Sequence, residues 1–247
     1  MRPVASIHGH SHAVRSIALD ADEEVVAAGA DDGVIKLFDL ASASAVRDFG
    51  RGRSAACTAL GFHPFSEFFA SGACDSSLTL HDLRDGSCMF AYKGHRAGVT
   101  HARFAPDGRL LASASADGSV RVWDLTAGRL LHKFGQHTAA ITGLEFHPCE
   151  FLLAAAAADG TVALLDIDAA ELVDTLGPDT AGVHAIAFQE GGGLMNGGHA
   201  AMLQQPPAHR LEAASEGDAH ARPEHAEMLA PWRTCWRRLR RGETPSD

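Results

Sequence analysis

Four words of the sequence, "LFDL", "LHDL", "VWDL" and "LLDI", place aspartates at Asp39, Asp82, Asp124 and Asp166, spaced 43, 42 and 42 residues apart. A second aspartate column stands seven residues before each, at Asp32, Asp75, Asp117 and Asp159, and a third column 29 residues before holds His10, Arg53, His95 and His137. Three columns in one register mean a repeat architecture, in which each unit buries its apolar face only against its neighbours. The same register decides how every His and Asp in the chain is read.

Within a unit, as in "VTHARFAPDGRLLASASADGSVRVWDL", apolar and polar residues alternate with period two between turn signals such as "PDG" at 106–108 and "ADG" at 116–118. Each unit reads as four short antiparallel strands. The units span about residues 12–50, 54–94, 97–136 and 139–178, with one further strand at 183–188.

These residues resemble WD40-repeat β-propellers, with Gly94-His95 and Trp123-Asp124 matching the two signature dipeptides. Over about residues 5–188, and most clearly over Gly61 to His137, the chain also resembles the propeller of the katanin regulatory-subunit family. The resemblance implies an all-β fold whose hydrogen-bonded chain in each unit joins the His, a Ser or Thr, the turn Asp and the Trp.

Carried over by register, that set is complete only as His95, Ser113, Asp117 and Trp123. The first unit keeps His10 and Asp32 but has Ala28 and Phe38. The second keeps Ser71 and Asp75 but has Arg53 and His81, and the fourth keeps His137 and Asp159 but has Ala155 and Leu165. The unit around residues 97–136 is therefore expected to be the most rigid.

A catalytic reading of His95 with Asp117 competes poorly with this one. The same pair recurs at the repeat period as His10/Asp32 and His137/Asp159, and a catalytic dyad has no reason to recur. No nucleophile elbow or phosphate loop is present. His8, His10 and His12 alternate and would share one face of an extended strand, but a His-rich loop is the simpler reading, and no metal or cofactor is expected.

Composition excludes other classes. A formal charge of −10 argues against a generally basic nucleic-acid or membrane surface. Five scattered cysteines without C-x-x-C spacing indicate reduced thiols rather than a disulfide framework or zinc site. No apolar run has the length of a signal segment or a membrane span, so an intracellular, cytoplasmic protein is expected.

The pattern weakens toward the end. Asp179 stands where a fifth His would fall, and Ala201 and Ala208 occupy the positions of the next two aspartates. From 189 to 247 the composition shifts to Ala, Gly, Pro, His and Glu, which predicts a low-order tail. "PVASIH" reads as an outermost strand, while the C-terminal side offers only an innermost one, so an incomplete ring is expected. Three arrangements fit: a fragment or mis-spliced gene, an open array completed by a partner or second copy, and a tightly closed four-blade ring.

The tail ends in "PWRTCWRRLRRGE", where Trp232, Trp236 and Leu239 would form an apolar stripe on a helix flanked by Arg237, Arg238, Arg240 and Arg241. Such a segment could bind an acidic surface such as a microtubule, calmodulin or anionic lipid; the other reading is a fortuitous arginine run.

The expected function is a non-enzymatic scaffold for proteins. The katanin resemblance implies regulation or targeting of a microtubule-severing ATPase, with that ATPase or tubulin as partner, at the centrosome, spindle or cilium. In that family a separate helical region binds the ATPase, and nothing here resembles it. Two alternatives stand beside it: a substrate adaptor of a ubiquitin ligase or other complex, and a truncated propeller without autonomous function. Loop positions beside the His and turn-Asp columns make the candidate partner face: His12, Asp31, Arg53, Cys74, Arg96, Ala116, Thr138 and Ala158.

Overall fold

The computed structural model describes residues 7–50, 54–65, 67–178, 182–188, 194–196 and 202–203. The first blade is the meander β1 (Val14–Leu19), β2 (Val25–Ala30), β3 (Ile35–Asp39) and β4 (Ser44–Phe49). The second is β5 (Cys57–Phe62), β6 (Phe68–Ala73), β7 (Leu78–Asp82) and β8 (Cys88–Tyr92). The third comprises β9 (Val99–Phe104), β10 (Leu110–Ser115), β11 (Val120–Asp124) and β12 (Arg129–Phe134). The fourth comprises β13 (Ile141–Phe146), β14 (Leu152–Ala157), β15 (Val162–Asp166) and β16 (Glu171–Leu176). Neighbouring blades meet in chain order through their inner strands, β1 on β5, β5 on β9 and β9 on β13.

Aspartates make the turns. Asp124 accepts the Thr126 and Ala127 amides at 2.8 and 3.0 Å, closing the β11–β12 turn, and Asp39 and Asp166 do the same in their own blades. The other column works at the opposite end: Asp117 accepts Ser119 N–H at 2.9 Å, beside Gly118 in the left-handed region at φ +75°.

The core lies between the sheets. Small residues on the second strands, such as Ala27, Ala70, Ala112 and Ala154, are fully buried and let the blades approach closely. A Cβ at Gly61 would sit 2.8 Å from the Ala102 carbonyl of the next blade. Hydroxyls then tie blade to blade: Ser16 donates to the Cys57 carbonyl at 3.1 Å, Thr58 to Val99 and Thr142 to Val183. Thr100, in the register of Thr58 and Thr142, finds no such acceptor among the described residues.

Composition argues against strands beyond Phe188, yet pairing continues there as β17 (Ile186–Phe188), β18 (Leu194–Asn196) and β19 (Met202–Leu203). The reason is packing supplied from outside the segment, because Leu194 is buried on a face made by Ala154, Ala156, Val162 and Leu164 of the fourth blade. This three-stranded sheet packs on the fourth blade, and Val14, Ile17 and Leu19 of the first blade are exposed. Most of the leading strand expected in "PVASIH", residue Arg53 and the basic segment with Trp232, Trp236, Arg237, Arg238, Arg240 and Arg241 lie outside the described residues.

Candidate functional site

In the third blade, Gly94-His95 precedes β9, Ser113 is on β10, Asp117 is in the β10–β11 turn and Trp123 is on β11. Trp123 Nε1–H donates to Ser113 Oγ at 2.9 Å, and the Ser113 hydroxyl is left to donate to His95 Nε2 at 2.8 Å. This makes His95 the tautomer with its proton on Nδ1, aimed at Ser119 Oγ at 3.3 Å. Ser119 completes the chain by donating to Asp117 Oδ1 at 2.6 Å. Ser113, His95 and Ser119 each donate once and accept once, between Trp123, which only donates, and Asp117, which only accepts, so the set is internally satisfied.

The direct approach of His95 Nδ1 to Asp117 Oδ2 is 3.6 Å, so Ser119 carries the hydrogen bond between them. Burial pushes the His95 pKa down to about 4 against the opposing pull of Asp117, which keeps the imidazole neutral at physiological pH. Burial alone would raise the Asp117 carboxyl; the Arg96 amide at 2.8 Å and the Ser119 donors outweigh it and hold the group well below the usual carboxylate range.

The fourth blade repeats the relay with different letters. His137 Nδ1–H meets Thr161 Oγ1 at 3.0 Å, and Thr161 donates to Asp159 Oδ1 at 2.6 Å. Burial lowers the His137 pKa against the opposing pull of Asp159. Ala155 and Leu165 stand where Ser113 and Trp123 stand in the third blade, so the inner half of the chain is missing.

In the second blade His81 occupies the Trp register and meets Ser71 Oγ at 2.9 Å, with Thr79 3.2 Å from the same oxygen. Asp75 accepts Ser77 N–H at 3.0 Å, while the Ser77 hydroxyl has no partner among the described residues. The first blade departs from the expected pairing of His10 with Asp32. His10 Nε2–H donates to the Ala28 carbonyl at 3.0 Å, and His12 Nδ1 takes Asp32 at 3.0 Å instead. Val34, in the register of Ser119, has no hydroxyl to relay with, and Ala28 has none to receive, so His10 turns to backbone. With His10 and His12 held by different partners, the three N-terminal histidines do not form a metal set, and no cluster of metal-ligating side chains occurs among the described residues.

The relays leave a rim of loops beside them. Backbone N–H groups of Asp31, Cys74, Ala116 and Ala158 donate to the carbonyls of Ala13, Ala56, Gly98 and Ala140, fastening the same two loops in every blade. On that framework His12, Cys74, Arg96, Ala116, Thr138 and Ala158 are exposed. Asp31 is half-buried and bidentate to Arg15 at 2.6 and 3.0 Å. Thr138 reaches Asp159 at 3.3 Å and Arg96 caps Asp117 through its backbone, so two rim residues are oriented by the turn aspartates they adjoin.

Register-based reading of the repeat missed Ser119 and Thr161. Their signal was present, since a hydroxyl residue follows the turn aspartate by two in the last three units (Ser77, Ser119, Thr161) and is Val34 in the first.

Comparison with known proteins gives repeated matches to the WD domain, G-beta repeat family at residues 1–39, 46–82 and 86–124. The Anaphase-promoting complex subunit 4 WD40 domain family matches at 134–191. Among curated proteins, the chain is 30% identical over 76 residues to human WD repeat and HMG-box DNA-binding protein 1, spanning 31% of this chain and 7% of that protein. Among solved structures, a chain of the Mitotic Checkpoint Complex aligns with TM-score 0.71 at 21% identity, over 76% of this chain and 58% of that one.

Proposed function

We propose that this chain, a protein of WD40 repeats on an all-β propeller fold, is a non-catalytic platform that holds partner proteins against its loop rim. The observation that carries this reading is the closed relay. The acid and base that could do chemistry, His95 and Asp117, spend their hydrogen-bonding capacity on Ser113, Ser119 and the Arg96 amide. What remains available is the exposed rim, with Arg96 at its third blade and Thr138 at its fourth.

Two partner classes follow from separate observations. The words of the second and third repeats support a regulator of a microtubule-severing ATPase, binding that ATPase or tubulin in the cytoplasm at the centrosome, spindle or cilium. The match at 134–191 to a domain of an anaphase-promoting complex subunit supports the other reading, an adaptor within a ubiquitin ligase or comparable assembly. Quantitative affinity capture separates them: tubulin or a severing ATPase on the bait supports the first, ligase subunits the second. Arg96→Glu with Thr138→Lys is expected to cut recovery at least about tenfold, as for central interface positions, with the thermal midpoint unchanged. Unchanged recovery counts against the rim.

A further inference from the structure

The four full blades each end in an outer strand with a free edge. Such an edge is a template for another strand unless charge blunts it. β4 carries Arg47 and Asp48, β12 carries Arg129 and Lys133, and β16 carries Glu171 and Asp174. β8 carries no charge: Cys88, Met89, Phe90 and Ala91 are all exposed, and only Tyr92 is buried. The first and third blades stand on either side of the second, so this exposure does not depend on any blade beyond those described.

The register shows that the apolar side chains are not required by the blade itself. Arg47 and Phe90 hold the same position on β4 and β8, opposite Leu37 and Leu80. Each lies over the glycine in the last turn of the next blade, 3.5 Å from a Cβ placed on Gly86 and 3.7 Å from one placed on Gly128. Arg47 uses the position to donate to the Leu83 and Arg84 carbonyls at 3.1 and 2.6 Å. Phe90 stacks along Tyr92 at 6.3 Å and remains 47% exposed. Asp124 already closes the Gly128 turn, so a charged residue at position 90 would protect the edge at little cost to the fold.

The two ends of β8 differ in charge. Before it, Glu67, Asp82 and Asp85 surround one cation, Arg84, which pairs with Asp82 at 3.0 Å and Glu67 at 3.3 Å. Asp85 is exposed and accepts the Ser87 amide at 2.8 Å. After the strand stands exposed Lys93. Asp85 and Lys93 are each four residues from Met89, so two β8 strands running antiparallel about Met89 set each Asp85 beside the partner's Lys93. A parallel pair would set like charges together.

We infer that β8 joins two copies of this chain edge to edge, antiparallel across a two-fold axis at Met89, with Cys88 beside the partner's Phe90 and Asp85 beside the partner's Lys93. The two four-stranded sheets become one. A single strand pair buries less than about 1,200 Å², so the dimer forms at on the order of 10 µM chain. The edge is separate from the loop rim, and the inference does not depend on the rim binding anything.

Sedimentation of the full chain from about 1 to 200 µM is expected to move from one chain to two. Phe90→Lys and Met89→Lys, which give β8 the kind of charge its counterparts carry, are each expected to weaken the dimer at least about tenfold and to leave the thermal midpoint within about 2 °C. Val46→Lys, on the first blade's edge, leaves it unchanged. Met89→Cys with Cys88→Ser is expected to give a disulfide-linked dimer on mild oxidation, because Cα atoms directly opposite lie about 4.5–5.5 Å apart. Cys88→Ser alone does not link. A chain that stays single throughout, a dimer that survives both lysines, or one that Met89→Cys does not link overturns the inference. So does a monomer whose β8 amides exchange slowly, since another segment of the chain then covers the edge.

Discussion

His81 Nε2 lies 2.9 Å from Ser71 Oγ, the place that Trp123 Nε1 takes on Ser113 one blade later, also at 2.9 Å. The same strand-to-strand tie is thus made by a smaller ring. His81 stacks on Phe69 at 5.0 Å and meets the Phe49 edge at 5.7 Å, as Trp123 meets Tyr92 at 4.8 Å in the next blade.

That arrangement separates packing from hydrogen bonding. His81→Phe keeps a ring against Phe69 and leaves Ser71 with Thr79, so its cost is about 1 kcal/mol. His81→Ala also opens a cavity between the first two blades and costs about 3 kcal/mol or more. Urea unfolding of both variants checks the ordering, and a larger loss for Phe than for Ala rules the division out.

Ser119 is the second test of the site. Ser119→Ala leaves the buried His95 Nδ1–H without its acceptor and removes a donor from Asp117, for a cost of about 1–3 kcal/mol. Ser77→Ala, in the same register but with a hydroxyl that has no partner, is expected to be close to neutral. Denaturant midpoints measured side by side decide it, since comparable losses at 77 and 119 would show that the relay carries no stability.

The period-two runs and the two aspartate columns made the blades legible, because turns pinned by Asp and Gly are local and need no knowledge of distant packing. Two features of the site were not legible for the opposite reason. Whether His10 or His12 meets Asp32 depends on Val34, across the turn, lacking a hydroxyl. Whether His81 replaces an indole depends on Phe49 and Phe69 arriving from two other strands. Beyond Phe188, composition pointed away from strands, and the contact that orders β18 comes from the fourth blade through Leu194. Local chemistry could be read along the chain; substitutions compensated by neighbours in space could not.

Gly118 gives a backbone prediction. Its φ of +75° disfavours any side chain, and a Cβ there would lie 2.6 Å from the His137 carbonyl. Gly118→Ala should therefore cost about 2 kcal/mol or more, whereas at Gly135 nothing stands within 4 Å and Gly135→Ala should be near neutral. Thermal unfolding of the pair measures the difference; similar midpoints would mean that the turn relaxes without penalty.

Acid sensitivity follows from the buried imidazoles. Burial lowers His95 and His101 to about 4, and lowers His63 and His137 as well. In the unfolded chain the same groups titrate near 6.5, so between about pH 6.5 and 4 the unfolded state binds protons that the folded state refuses. Stability is therefore complete above about pH 6.5 and declines as pH falls, with His95 alone accounting for a loss on the order of 3 kcal/mol by pH 4. Asp117, held low in the folded chain, adds a further loss below about pH 3.8 as it protonates in the unfolded state. The urea midpoint should drop steadily from pH 7 to pH 5, and His101→Asn, which stands outside the relay, should flatten that curve by removing one site of proton uptake. A midpoint that holds constant over this range would show that these histidines take up protons in the fold as readily as in the unfolded chain, and that burial does not hold His95 neutral.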